Sequence, residues 1–215
     1  MKNILLVTLL SCAFGSMEAQ FVASEPDRTL NTGKEQVTAL AMAPRGDRML
    51  VGTTKGAALF DIESGKKVQD FPFKEDDNST VWHASFNDNG EFVLLIGYTG
   101  KREVWDVKSG KIDKMLNKHG WIPDPRQVKA MGLNMGNSDF DRFYQQTEAV
   151  LGEVRAVAQK NGAVQFITSS DQALQQIEFP QNKDQHHRAP CMFSDTHFIT
   201  GTDDGRVLFY PLVRR

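Results

Sequence analysis

The stretch Val37-Thr38-Ala39-Leu40-Ala41-Met42-Ala43, continued by Pro44-Arg45-Gly46-Asp47 and then Arg48-Met49-Leu50-Val51-Gly52, decides how this chain folds. Val37, Ala39, Ala41 and Ala43 alternate with Thr38, Leu40 and Met42, so both faces of an extended segment are apolar, as in a strand packed between two layers. The Pro-Arg-Gly-Asp run reads as a hairpin turn, since Gly tolerates positive φ and Pro presets its own. The unit closes on Phe60-Asp61-Ile62-Glu63-Ser64-Gly65-Lys66, a second turn type leading into a polar outer strand. The same order then returns. Val81-Trp82-His83-Ala84-Ser85-Phe86 is followed by Asn87-Asp88-Asn89-Gly90-Glu91, by an apolar run from Phe92 to Gly97, and by Val104-Trp105-Asp106-Val107-Lys108-Ser109-Gly110-Lys111. The spacing is about 44 to 45 residues, a period that belongs to repeat architectures. A generic antiparallel meander has no reason to repeat the same turn chemistry at the same interval.

These segments resemble WD40 repeats, with Trp105-Asp106 as the dipeptide and Phe60-Asp61 standing in for it one unit earlier. Two further units match more weakly. Val154-Arg155-Ala156-Val157-Ala158, Asn161-Gly162 and Phe166 to Asp171 fit with Ile177 near the Trp position, and His197 to Tyr210 ends with Tyr210-Pro211 in place of Trp-Asp. The His expected before each first strand is missing, since Gly33-Lys34-Glu35-Gln36 precedes Val37 without one. The buried His-Asp-Ser-Trp network of the family is therefore at best partial. The resemblance covers about residues 28 to 213 and implies an all-β chain, a small or partial β-propeller of four to five WD40-like blades. It also implies a protein- or peptide-binding scaffold, a role that comes from the fold only by analogy.

Residues 117 to 153 interrupt the pattern. Val128 to Leu133 echoes the strand at Val37, which suggests an eroded fifth blade, while Phe140, Phe143, Tyr144, Thr147, Val150, Leu151 and Val154 fall at helical spacing behind a Ser138 or Asp139 N-cap. The spacing favours a short helical insertion. Val22 to Asn31 is placed to complete the last blade beside Val207 to Val213. The rival is an open half-propeller that pairs with a second copy through its exposed edges, a homo-oligomer.

The N-terminus differs in kind from the repeats. Lys2 precedes a continuous apolar run from Ile4 to Leu10, broken only by Thr8, and small and polar residues fill Ser11 to Ala19. That order is a secretory signal over residues 1–19, too short to span a bilayer, with 20–215 as the propeller domain. The expected location is secreted or periplasmic. A loose lipobox, Leu9-Leu10-Ser11-Cys12, offers lipid attachment at Cys12 as the alternative. With Cys12 removed, Cys191 is the sole thiol of the mature chain and no internal disulfide can form. The formal net charge of −2 argues against nucleic acid as partner, and no transmembrane segment is expected in the mature chain.

Chemistry is sparse. His186, His187, Cys191 and His197 are the one cluster with zinc-type ligands, at a spacing that matches no standard motif. Lys74-Glu75-Asp76-Asp77-Asn78 lacks the alternating oxygens and glycine of an EF-hand loop and reads as a solvated connector. Asp195 with His197 has no nucleophile elbow to serve, and no Walker or dinucleotide glycine motif is present. No catalytic residue and no cofactor is assigned, and the enzyme reading, metal-dependent or hydrolytic, stays the alternative. Trp82 and Trp121, expected near blade edges or loops, are candidates for partner contact, or equally for packing between blades.

Overall fold

In a computed structural model, residues 21–75, 77–97, 100–119, 146–160, 162–178 and 189–213 are described. Among them the chain runs through sixteen strands and one short helix, arranged as four antiparallel sheets of four strands each. Strand β1 (Arg28–Asn31) belongs to the last of these sheets. β2 (Val37–Met42), β3 (Arg48–Thr53), β4 (Gly56–Asp61) and β5 (Lys67–Phe71) form the first blade in that order. β6 (Val81–Phe86), β7 (Phe92–Gly97), β8 (Arg102–Asp106) and β9 (Lys111–Ile112) form the second, and helix α1 (Lys114–His119) comes after it. The third is β10 (Glu148–Leu151), β11 (Val154–Ala158), β12 (Val164–Thr168) and β13 (Ala173–Ile177). The fourth is β14 (Cys191–Phe193), β15 (His197–Gly201), β16 (Arg206–Pro211) and, as its outermost strand, β1.

The N-terminal strand thus completes the fourth blade. Arg28, Thr29, Leu30 and Asn31 pair with Phe209, Leu208, Val207 and Arg206. Val22 bridges Leu212, and the two N–H groups of Phe21 and Val22 donate to Gln175 Oε1 on β13, at 2.7 and 2.9 Å. One segment therefore ties the fourth blade to itself and to the third. The fold is a four-bladed β-propeller.

The alternation seen in the sequence becomes packing between blades. Ala39, Leu50 and Leu59 of the first blade meet Val81, Val93, Leu95 and Trp105 of the second. Val37, Met49, Val51 and Phe60, on the other faces of the first blade's strands, meet Leu30, Ile199, Val207 and Phe209 of the fourth. Phe166 and Phe198 join the third and fourth, their rings edge to face at 4.9 Å. The residue before the end of the third strand is buried in the first, second and fourth blades (Phe60, Trp105, Tyr210) and half-buried in the third (Ile167). The Trp105 indole N–H has no hydrogen-bond partner among the described residues, and Asp106 turns away to its own loop, so the family's network is replaced by packing here.

The third blade corrects the sequence reading in two ways. Val150 and Leu151 lie in β10 and Val154 opens β11, so that part of the helical spacing falls in strands. Thr147 is buried just ahead of β10, while Phe140, Phe143 and Tyr144, and the echo at Val128 to Leu133, lie outside the described residues. Secondly, Val154–Ala158 is the second strand of its blade, not the first, and Ile167-Thr168 rather than Ile177 takes the Trp-Asp place. The inner strand escaped notice because its hairpin to β11 is two residues long, Gly152-Glu153, whereas five residues link β2 to β3 and β6 to β7. α1 covers the part of β8 that the two-residue β9 leaves bare: Val104 donates its N–H to Asn117 Oδ1 at 3.1 Å.

Candidate functional site

The turns at one end of the blades build the site. Pro44 occupies the second position of a β-turn that Gly46 N–H closes on the Ala43 carbonyl at 2.8 Å, and Asn87 to Gly90 repeats it at 3.0 Å. Ser194 closes the matching turn of the fourth blade, donating its N–H to the His197 carbonyl at 2.8 Å and accepting the His197 N–H on its hydroxyl at 3.0 Å. These short, internally bonded turns leave a cleft of about 530 Å³ between the fourth and first blades. Met42, Ile62, Met192 and Phe209 form its floor, and Arg28 and Arg45 stand on its sides. A smaller cleft of about 190 Å³, lined by Phe86, Gly90 and Val107, lies on the other side of the Pro44-Arg45 turn.

Two arginines, His197 and one carboxylate, Asp195, line the larger cleft. The Arg28 guanidinium lies 5.9 Å from the centre of the Phe209 ring, a cation–π distance, and Arg28 and Arg45 both remain exposed. His197 fills the corner. Its Nε2 is 3.2 Å from Asp27 Oδ2, its Nδ1 2.7 Å from Thr196 Oγ1, and its ring meets Phe209 edge-on at 6.1 Å.

Of the four residues with zinc-type chemistry two are described, Cys191 and His197, and these two do not come together. His186 and His187 lie outside the described residues. Cys191 shares a face of its sheet with Thr200, Phe193 and Phe198, while His197 belongs to the opposite face, so the two candidates point away from each other. Cys191 is also buried, and burial, with the Glu148 carboxylate nearby, pushes its thiol well above the ordinary range, which suits a packing residue rather than a thiolate ligand. Among the described residues, no group of three or more His, Cys, Asp or Glu could hold a metal ion. Glu75 departs from the solvated-connector reading: it is buried and accepts the Lys101 N–H at 3.2 Å. Asp76 lies outside the described residues. Trp82 sits half-buried in β6, the inner edge strand of its blade, and Trp121 lies outside the described residues. No described helix is long and apolar enough to cross a membrane.

Sequence reasoning missed Gln146. Just ahead of β10, its side-chain carboxamide accepts the Leu40 N–H at 3.1 Å and donates to the Leu40 and Ala84 carbonyls at 3.0 and 3.2 Å. Its own carbonyl accepts the Cys191 N–H at 2.9 Å. One residue thereby joins the inner strands of the first, second and fourth blades at the start of the third. A glutamine in an unassigned stretch carries no sequence signal for such a role.

No family model and no curated protein matches the chain. Solved structures similar to it include the WD40 repeats of RRP9, at 12% identity and a TM-score of 0.38, over 84% of this chain and 49% of that one. U3-55K is similar at 11% identity and a TM-score of 0.37, over 80% and 47%. The chain spans about half the length of these structures. Its description as a propeller stands on its own strand order and on the pairing of β1 with β16.

Proposed function

We propose that this protein is an exported, non-catalytic scaffold that holds a protein or peptide partner against the turn-bearing end of its propeller. The observation that carries the reading is the cleft between the fourth and first blades, an apolar floor with arginines at its sides on a frame of packed sheets. Aromatic, Met and Arg side chains are the ones enriched where proteins meet. Rigid blades presenting short loops suit recognition better than chemistry, which needs convergent titratable groups. Support for export is the run from Lys2 to Ala19.

A crosslinked pull-down of the full-length, C-terminally tagged protein from its native cells tests both parts, read by mass spectrometry. A stoichiometric envelope or secreted partner, together with an N-terminal peptide starting at Gln20, is the expected result. Recovery of the protein alone counts against the scaffold. An N-terminal peptide containing residues 1–19 counts against cleavage, and a lipidated Cys12 moves the protein to the envelope surface.

A further inference from the structure

We infer that the cleft between the fourth and first blades takes an extended acidic segment of a partner protein, with one large apolar side chain on its floor and carboxylates at its sides; this rests on the scaffold reading above. The floor is chemically uniform. Met42 and Met192 pack on the apolar cluster formed by Ile62, Ile199 and Phe209, and both thioether side chains are half-buried, open enough to be covered. Unbranched, polarisable methionines adapt to the shape of an incoming side chain, so the floor selects for apolar bulk rather than for one residue.

The sides supply charge complementarity. Arg28 comes from β1 and Arg45 from the β2–β3 turn, so the two guanidiniums sit on different blades and both line the cleft. Neither has an ion-pair partner among the described residues, whereas Arg48 is beside Asp47 at 3.8 Å and Arg155 reaches Asp171 at 2.8 Å. Of the nearby carboxylates, Asp27 is engaged by His197, and Asp195 is the one acidic residue on the lining. Exposed arginines left unpaired beside an apolar floor are poised for bidentate bonds to carboxylates, which the planar guanidinium favours. An acidic peptide matches both features. A nucleic acid matches only the charge of the arginines.

The test is an array of synthetic peptides, each with one large apolar residue flanked by glutamates or by lysines, probed with the full chain. Glutamate-flanked Leu, Met and Phe peptides are expected to be retained, and Arg28→Glu with Arg45→Glu to weaken them at least about tenfold. Arg45→Glu alone, at an exposed turn, checks the result without touching β1, and thermal melts confirm that both variants fold. A silent array, equal retention of lysine-flanked peptides, indifference to the charge reversals, or displacement of the peptides by oligothymidylate overturns the proposal. A silent array beside a positive pull-down removes this cleft and leaves the scaffold standing, whereas a pull-down that returns no partner removes the scaffold itself.

Discussion

Gln146 adopts φ of 52°, a left-handed conformation that non-glycine residues take only when the surroundings over-determine it. The compensation is its carboxamide, which satisfies backbone groups on the edges of two inner strands that no neighbouring strand covers. Gln146→Ala strips those groups of their partner, and urea unfolding is expected to show a loss of about 1–3 kcal/mol. Gln146→Glu keeps the shape but replaces the donor by an acceptor facing two carbonyls, so its loss is expected to be greater. An unchanged urea midpoint in both variants contradicts the role. Asp61 and Asp106 illustrate residues whose part was legible. Each accepts the hydroxyl or backbone N–H of the serine three positions on, at 2.6 to 2.7 Å, and these bonds hold both carboxyls below their ordinary value. A depressed folded pKa contributes stability that is present above the unfolded value and lost as pH falls through the folded one. Asp61→Asn with Asp106→Asn is therefore expected to flatten the fall in urea midpoint below about pH 4. A fall as steep as in the parent protein contradicts it. The repeated Asp-x-x-Ser-Gly-Lys announced these turns, whereas the spacing of Cys191 and His197 in sequence hides that they take opposite faces of their sheet.

At the scale of elements, close approach between blades explains why the repeat tolerates no substitution at certain points. Gly52, near the end of β3, has room for no side chain: a Cβ there stands 2.9 Å from both Ala39 Cβ and Val81 Cγ1, the latter on the next blade's inner strand. Gly201 repeats the arrangement on β15, where a Cβ stands 2.8 Å from Val37 Cβ. Gly52→Val is expected to destabilise by about 1–3 kcal/mol through overpacking, read by urea unfolding. A neutral result shows that the blades are looser than this packing implies. The first two blades were legible because strand alternation, turn residues and closing motif agree, each with the next. The third carries an inner strand ahead of Val154 that its sequence does not announce. The short strand Glu148–Leu151 carries half-exposed and exposed residues and a two-residue hairpin, so neither its pattern nor its turn matched its counterparts. The inner strands begin at Val37, Val81, Glu148 and Cys191, and the interval that breaks the period holds all but the last few residues of the segment 117–153 that the sequence marks as an insertion.

For the whole molecule the governing feature is closure. A ring whose last blade borrows its outer strand from the N-terminus couples the two ends of the chain, and an open half-propeller would instead leave β16 as an edge for a second copy. The sequence held both outcomes, because Val22 to Asn31 and Val207 to Val213 can pair within one chain or between two. Leu30, buried against Val207, and the anchoring of Phe21 and Val22 on Gln175 favour pairing within the chain. A cysteine pair tests this most directly. Asn31 and Arg206 are cross-strand partners at the partly solvent-exposed end of the β1–β16 ladder. Asn31→Cys with Arg206→Cys, in a Cys191→Ser and Cys12→Ser background, is expected to oxidise at low protein concentration to an intramolecular disulfide in a monomer. Thiols that stay reduced, or disulfides found only between two chains, contradict the completion of the fourth blade by this chain's own N-terminal strand.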